Sequence, residues 1–429
     1  MAPKIVIIGG GPAGFSAAMV AKRVGADVTL IERTDALGGL GLVAGIGIFG
    51  AAESIYYEEK VMGAGDLGDI YVDTATHRHV KIPGVGDDST LYNVMRLDAR
   101  MQRACKDAGV EFLLRKTVVD AAYSGGKIES VMLQDGTSVS GDVFIDASGA
   151  TNGTTDCNEL GRGCVGCIYR CPTFGAPGGI AEKRSKVVSR INAYGKPGVI
   201  GTSTLIPIVS LSKDLQKRLK KEGYAIIPVP PTAKLDEDRM KRAGAPYMFR
   251  HNLHTKNIIV LDVGGHIKTT AIGSPMWVNS LRCFPGFEDA WVAQPTAGKI
   301  GHLVTWTTMA YRDNCLRAEG WKNLFVAGHK AGPSICLFDA HVMGDLAGYN
   351  AARMAFGKEC IELPLNTMAG AYIDYLGRVM RTEEGLKRGY SIIEIEILET
   401  LGVYRTDRKV ISQEVKNAGL KGIYAKKLT

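Results

Sequence analysis

The pattern of apolar and polar positions in the first 33 residues predicts a strand, a helix and a second strand. Residues 4–8 are almost wholly apolar, which is typical of a buried parallel strand. A helix is predicted over residues 15–24, with small side chains on its early turns. Residues 28–31 form a second apolar run that ends at Glu32, and a glycine-rich turn joins the first strand to the helix.

Gly9, Gly11 and Gly14 have the GxGxxG spacing within that turn. The first glycine allows a tight turn, the second lets a pyrophosphate approach the backbone, and the third lets the helix pack closely on the strand. The start of the helix then offers free N–H groups to phosphates. With Glu32 placed to accept both ribose hydroxyls, the sequence predicts a dinucleotide site rather than a plain glycine turn.

The stretches that follow are less regular. Residues 37–47 are rich in glycine, and we expect a loop that lies against a flat ligand, with a simply mobile loop as the alternative. Residues 53–88 have weak periodicity and are predicted to be an insertion. A helix is predicted over residues 93–107; its Arg96 is a candidate phosphate contact or an ordinary exposed arginine.

Short strands dominate the next segment. They are predicted at 111–114, 118–123, 128–133 and 138–143. Gly125-Gly126 and Asp135-Gly136 supply hairpin turns. A buried strand then ends in the small-residue turn Ala147-Ser148-Gly149. This order of parts resembles the FAD-binding half of the glutathione-reductase-like flavoproteins, where such a turn returns the chain to the cofactor.

A second strand–turn–helix unit returns the chain to the first domain. The strand, the turn and the helix are predicted at 324–327, 328–332 and 342–356. The resemblance implies that they hold the ribityl chain and the N1 side of the flavin. Many members of that superfamily have an aspartate after the Ala-Gly of the turn, where this chain has His329 and Lys330. Asp339 or Asp345 is then a candidate for that contact.

These elements predict an α/β protein with a Rossmann-like FAD-binding domain, an inserted sheet-rich second domain and a helical C-terminal tail. The predicted boundaries are 1–150 and 318–362 for the FAD-binding domain and its return segment, 151–317 for the substrate and cysteine-cluster domain, and 363–429 for the helical appendix. Further helices are predicted at 213–222, 369–381 and 391–401. The appendix is a candidate oligomer contact, so a homo-oligomer is expected.

Four segments carry a closer resemblance. NLFVAG at 323–328 and GDLAGYNAAR at 344–353 resemble a motif of the glucose-inhibited division protein A family and of the folate- and FAD-dependent tRNA (uracil-5-)methyltransferases. PGFEDA at 285–290 and LPLNTMAGA at 363–371 are similar to segments of the methyltransferases, in the same order. The resemblance implies the fold and FAD, and it makes RNA methylation an alternative function.

The motif and the resemblance together predict the cofactor-binding residues. They are Gly9, Gly11, Pro12, Ala13, Gly14, Glu32, Arg33, Gly39, Arg96, Val119, Ala147, Gly149, Gly328, Ala331 and Gly332. His329 and His341 are the candidates for acid–base catalysis because they flank the predicted flavin edge. Cys336, in the turn region after Gly332, is the third catalytic candidate.

Four of the nine cysteines lie close together. Cys157, Cys164, Cys167 and Cys171 form a C-x6-C-x2-C-x3-C pattern that is followed by Pro172. This matches in part the C-x2-C-x2-C-x3-C-P run that ligates iron–sulfur clusters in bacterial ferredoxins. The glycines between these cysteines permit sharp turns. A [4Fe-4S] cluster is the favoured interpretation, ahead of a redox thiol pair, a zinc site and cysteines without metal.

Composition narrows the class of protein. The 429 residues are 45% hydrophobic and 22% charged, which is ordinary for a soluble globular protein. Neither a membrane span nor a signal peptide is apparent, so a cytoplasmic protein with no membrane partner is expected. The net charge of +8 allows RNA or an anionic substrate without requiring either.

The main functional hypothesis is an FAD-dependent oxidoreductase. Electrons would pass between flavin and a small-molecule or protein partner through the cysteine cluster. Because one clear GxGxxG is apparent, the donor is expected to be a ferredoxin-like protein or the substrate rather than a nicotinamide. The alternatives are an RNA-modifying flavoenzyme that transfers a folate-derived methylene group, and a non-catalytic sensor that binds flavin and cluster.

The cysteine pattern generates the first testable prediction. Anaerobically purified protein should show a flavin spectrum and about four irons per chain, because the four cysteine thiolates would hold one [4Fe-4S] cluster. Absorbance and metal analysis measure both. Flavin without metal would leave the cysteines to thiol chemistry, and zinc without iron would contradict electron relay.

Overall fold

The computed structural model describes residues 2–43, 45–49, 53–83, 86–149, 179–189, 199–200, 205–231, 256–270, 281–291, 304–305, 309–333, 337–388 and 394–428. Its centre is a parallel five-stranded sheet. The strand order across this sheet is Leu324–Val326, Val143–Asp146, Lys4–Ile8, Asp27–Ile31 and Glu111–Leu113. The predicted Rossmann-like α/β class is therefore confirmed.

The pairing of the strands places the ends of the predicted motif strands side by side at one edge of the central sheet. Ile8 pairs with Ile31 on one side and with Asp146 on the other. Asp146 also pairs with Val326 of the strand Leu324–Val326. The residues that follow these strand ends therefore lie side by side, at the carboxyl edge where ligands bind in open parallel sheets.

Antiparallel sheets surround this core. A three-stranded sheet contains Val118–Ser124, Lys127–Leu133 and Ser138–Ser140, and another contains Ile48–Phe49, Gly86–Tyr92 and Ala75–Ile82. The middle segment has a four-stranded sheet of Leu205–Pro207, His266–Thr270, Asn257–Asp262 and Tyr224–Pro228. Two-strand pairs join Val187–Val188 to Met309–Ala310 and Val199–Ile200 to Val304–Thr305. Apolar side chains of Ala75–Ile82 and Gly86–Tyr92 share a small core with Asn257–Asp262.

The helices include those that the sequence predicts and others. The described helices are Pro12–Arg23, Gly39–Val43, Glu53–Met62, Asp66–Asp73, Leu97–Ala108, Lys213–Glu222, Leu337–Ala355, Met368–Val379, Glu383–Arg388, Glu394–Thr400 and Arg408–Asn417. Within this described part of the chain, no helix is long and apolar enough to cross a membrane.

Two helices pack unusually closely. Pro12–Arg23, hereafter the motif helix, lies against Leu337–Ala355, hereafter the return helix. A Cβ atom at Gly344 would overlap the carbonyl oxygen of Ala13, and one at Gly348 would overlap that of Ala17. The glycines of the return helix thus let the backbones of the two helices come into contact.

The C-terminal residues complete the same core. Leu398, Ile411 and Leu420 join the hydrophobic cluster of the central sheet. The backbone N–H of Leu428 donates to the carbonyl of Val24 at the end of the motif helix, at 2.9 Å. The segment predicted as a helical appendix therefore packs on the cofactor-binding unit.

Candidate functional site

The three glycines of the motif differ in what surrounds them. Gly9 has a φ of +101°, and a Cβ there would overlap the carbonyl oxygen of Ala147. A Cβ at Gly14 would overlap the carbonyl oxygen of Gly9. At Gly11 the nearest atom to an added Cβ is the Cα of Gly39, at 3.7 Å. Gly9 and Gly14 therefore serve the packing, while Gly11 leaves space beside the backbone.

The start of the motif helix is suited to an anion. Gly11 is the N-cap, Pro12 opens the first turn, and that turn carries no acidic residue. The N–H groups of the first turn, among them those of Ala13 and Gly14, have no partner within a helix. The helix dipole adds positive potential at this end, so a pyrophosphate fits here.

Glu32 is buried at the end of the second strand and is already oriented. Its Oε2 accepts a hydrogen bond from the backbone N–H of Gly10 at 2.7 Å. Its Oε1 accepts from the backbone N–H of Thr34 at 2.8 Å and from the Thr34 hydroxyl at 2.9 Å. These bonds hold a carboxylate beside the glycine turn, where it can accept ribose hydroxyls.

The segment after Glu32 folds back over the motif. The N–H of Gly38 donates to the carbonyl of Gly10 at 2.9 Å, and the N–H of Leu37 donates to Asp98 at 2.6 Å. Gly39 then begins a short helix directly above Gly11. Part of the predicted glycine loop is thus a short helix whose first residue lies against Gly11. Of the other predicted contacts, Arg33 and Val119 are partly buried and Arg96 is exposed.

Asp146 organises the turn that the sequence predicts as a cofactor contact. Its Oδ1 accepts from the backbone N–H of Ser148 at 3.1 Å, and its Oδ2 accepts from those of Ile180 and Ala181 at 2.8 and 2.9 Å. This fully buried carboxylate fixes the turn, and the backbone of Ala147 and Ser148 in that turn lies against Gly9. Sequence reasoning missed the role, although an aspartate at the end of an otherwise apolar strand was the available signal.

The turn at residues 328–332, hereafter the return turn, packs against the start of the motif helix. A Cβ at Gly328 would lie 2.9 Å from the Cβ of Ala13, and the N–H of Ala331 closes the turn on the carbonyl of Gly328 at 2.8 Å. Gly332 packs on Leu376 of the helix Met368–Val379. The predicted residues of this turn are therefore brought to the same sheet edge as the glycine motif.

Lys330 lies in the return turn after Ala327 and is buried. Its side chain is 1% exposed, and its Nζ lies 3.3 Å from Oε2 of Glu182. His329 beside it is partly exposed, and desolvation lowers its pKa to about 4. His329 is therefore neutral at pH 7.

His341 lies inside the protein, within a cluster of acids. Its Nδ1 is 2.7 Å from Oε1 of Glu59, and both side chains are almost fully buried. The buried Asp345 is a second acid whose charge interacts with Glu59. Burial lowers the pKa of His341 to about 4. Burial, followed by the charge of Glu59, raises the pKa of Asp345 well above its usual range.

Glu59 and Asp345 form a pair of buried acids. Because like charges repel each other inside a protein, the charge of Glu59 adds to burial in raising the pKa of Asp345. Burial is also the main cause that raises the pKa of Glu59 well above its usual range, and Glu58 and Asp66 add to it. The sequence gives little sign of this cluster, since its acids interrupt the apolar pattern.

The cysteine predictions are not tested by the structure. Cys157, Cys164, Cys167, Cys171 and Cys336 lie outside the described residues. Among the residues that are described, no group of three or more His, Cys, Asp or Glu could hold a metal ion. The iron–sulfur, thiol and zinc interpretations thus stay predictions.

Comparison with known proteins supports the cofactor. Residues 4–152 match the family model described as FAD dependent oxidoreductase. The chain is 40% identical over 117 residues to the methylenetetrahydrofolate–tRNA-(uracil-5-)-methyltransferase TrmFO of Caldicellulosiruptor bescii, over 27% of this chain and 26% of that protein. It is 34% identical over 96 residues to the TrmFO of Thermosipho africanus, over 22% of each chain. The match thus spans about a quarter of these curated relatives.

Two further similarities complete the comparison. A menaquinone reductase of Mycolicibacterium smegmatis is 30% identical over 166 residues, covering 34% of this chain and 37% of that protein. The solved structure of Aquifex aeolicus GidA matches 97% of this chain and 76% of its own, with a TM-score of 0.68 and 15% identity. That structural match concerns the fold. The predicted resemblance to FAD-dependent oxidoreductases of the GidA and TrmFO group is confirmed.

Because there is space beside Gly11, a substitution there is expected to lower FAD affinity without disturbing the fold. Gly11→Ala should fold normally, because its φ of −74° suits alanine and the nearest atom is 3.7 Å away. The new methyl group would occupy the approach path of the pyrophosphate, so FAD affinity should fall by at least about tenfold. Flavin fluorescence titration measures the affinity, and thermal unfolding of the apoprotein is the control. Wild-type affinity in Gly11→Ala would place the cofactor elsewhere.

The carboxyl pair predicts how stability depends on pH. A carboxyl whose pKa is higher in the folded chain than in the unfolded chain binds its proton more tightly when folded, so the free energy of unfolding falls as pH rises through the folded pKa. Glu59→Gln should flatten this fall as pH rises above the ordinary range of a glutamate carboxyl, and it should be more stable than wild type at alkaline pH. Glu58, whose pKa burial raises to about 7, keeps part of the slope.

Urea unfolding across that pH range makes the measurement. Glu129→Gln, at an exposed position, is the matched control and should keep the wild-type slope. An unchanged slope in Glu59→Gln would show that the pair does not retain a proton.

Proposed function

We propose that this protein is an FAD-dependent enzyme that modifies RNA by transferring a folate-derived one-carbon unit to a uracil base. The observation that carries the proposal is the 40% and 34% identity to two methylenetetrahydrofolate–tRNA-(uracil-5-)-methyltransferases. The matching segments support a shared cofactor site. Because they span about a quarter of each relative, the RNA substrate is the part of the proposal that the experiments below test.

The residues at the sheet edge fit FAD. The start of the motif helix would hold the pyrophosphate, Glu32 the adenosine ribose, and the turns after Asp146 and Ala327 the ribityl side. Bound there and reduced by an external donor, FAD would supply the two electrons by which a methylene group becomes a methyl group, and would itself be oxidised. His329 is neutral at pH 7 and could accept the proton that C5 of uracil loses as the new carbon–carbon bond forms.

A basic helix offers a surface for the RNA backbone. The helix Lys213–Glu222 buries Leu215 and Leu219 against the core of the middle segment. Its opposite face exposes five cations against two acids. The cations are Lys213, Lys217, Arg218, Lys220 and Lys221. Such a face attracts phosphates, and binding through it should weaken as salt displaces the interaction.

The activity test uses the purified flavoprotein. An unmodified tRNA transcript is incubated with methylenetetrahydrofolate and a flavin reductant, and its nucleosides are analysed by mass spectrometry. The proposal expects uridine to gain one methyl group only when folate, reduced flavin and protein are all present. A flavin that turns over while the RNA stays unmodified and unbound would overturn it.

A charge-reversal pair tests the surface. Lys217→Glu with Arg218→Glu should raise the dissociation constant for tRNA at least about tenfold and reduce the salt dependence by about two phosphate contacts. Lys426→Glu with Lys427→Glu, also adjacent and exposed, is the matched control. Flavin content should be unchanged in both. Equal tRNA affinity in the two variants would show that the RNA binds at another surface.

A second candidate function rests on a different observation. The C-x6-C-x2-C-x3-C pattern and the similarity to a menaquinone reductase favour electron transfer between flavin and a redox partner. A [4Fe-4S] cluster at Cys157, Cys164, Cys167 and Cys171 would relay those electrons singly. An iron-loaded protein that is reduced by a ferredoxin-like donor, without binding RNA, would favour this function.

A further inference from the structure

Arg312 is a buried cation that contacts the return turn. It has the largest side chain among the fully buried residues that the structure describes, and it is 2% exposed. Its Nε donates to the carbonyl of Ala331 at 3.1 Å, and its Nη2 donates to the carbonyl of Ile373 at 2.6 Å. Its Nη1 donates to the carbonyl of Asp313 and to Oδ1 of Asn314.

These bonds join two elements that the sequence keeps apart. Ala331 belongs to the turn predicted to hold the flavin, and Ile373 lies in the middle of the helix Met368–Val379, hereafter the brace helix. All four acceptors are carbonyl or amide oxygens. Burial lowers the pKa of the Arg312 guanidinium to about 10, so it still carries its charge at pH 7.

The brace helix is shaped around this guanidinium. A Cβ at Gly377 would lie 2.8 Å from Nη1 of Arg312, so glycine leaves the room that the cation fills. Leu376, the residue before Gly377, packs on Gly332. Asn314 is tied to the same helix, because its Nδ2 donates to Asp374 at 3.0 Å. The turn, the arginine and the brace helix therefore form one packed unit.

We propose that Arg312 is a positioning residue for the cofactor. It connects the brace helix to the return turn, and it places a positive charge behind that turn. The proposal rests on the cofactor site of the proposed function, not on the RNA substrate. A cation behind the turn favours the reduced, anionic flavin. Removing it should therefore change the bound flavin as well as the stability of the chain.

The test uses four variants of the full chain. Arg312→Met should weaken FAD binding by at least about tenfold and make the flavin midpoint potential more negative. Arg312→Lys keeps the charge and should restore most of the potential but only part of the affinity. Gly377→Ala should resemble Arg312→Met, because the new methyl group displaces the guanidinium. Combined with Arg312→Met, it should add little further loss.

The readouts separate positioning from plain stability. FAD affinity and the potential by redox titration are measured beside thermal unfolding of each apoprotein. Arg378→Met, on an exposed side chain of the brace helix, is the control and should keep both flavin properties. If Arg312→Met fails to fold, Arg312→Lys and Gly377→Ala still decide the question.

Two outcomes would overturn the proposal. Wild-type affinity and potential in Arg312→Lys and Gly377→Ala, with only the unfolding temperature lowered, would make Arg312 purely structural. A wild-type protein without FAD binding would remove the cofactor site itself. A protein that binds FAD but does not modify RNA would contradict only the proposed substrate.

Discussion

The close approach of the motif helix to its neighbours constrains the rest of the protein. Gly14 brings the start of this helix against the carbonyl of Gly9, and Gly344 and Gly348 bring the return helix against its other side. With backbones this close, small shifts cannot be absorbed by side chains. The helix N-terminus is therefore held at the sheet edge, where Glu32 and the turns after Asp146 and Ala327 converge.

Buried polar groups provide a second layer of order around that edge. Asp146 ties a distant segment to its own turn, and Arg312 joins the return turn to the brace helix. Glu59 is in hydrogen-bond contact with His341 of the return helix, and both side chains are buried. Since such groups are costly to bury without partners, their bonds select one arrangement of the surrounding elements.

The sequence predicts what is local and misses what is long-range. The strand, glycine turn, helix and acid of residues 4–32 follow from periodicity and spacing, and the structure has them. Glu53, Glu58 and Glu59 are buried acids that interrupt the apolar pattern, so residues 53–88 appear irregular although they form two helices and two strands. The bond from Arg312 to Ile373 spans 61 residues, and no spacing rule connects them.

A crystal structure of the protein with FAD tests the central claim most directly. The account predicts pyrophosphate oxygens about 3 Å from the backbone N–H groups that open the motif helix, with the adenosine ribose on Glu32 and the flavin beside the return turn. FAD bound away from Gly11, with Glu32 still bonded only to Gly10 and Thr34, would contradict it.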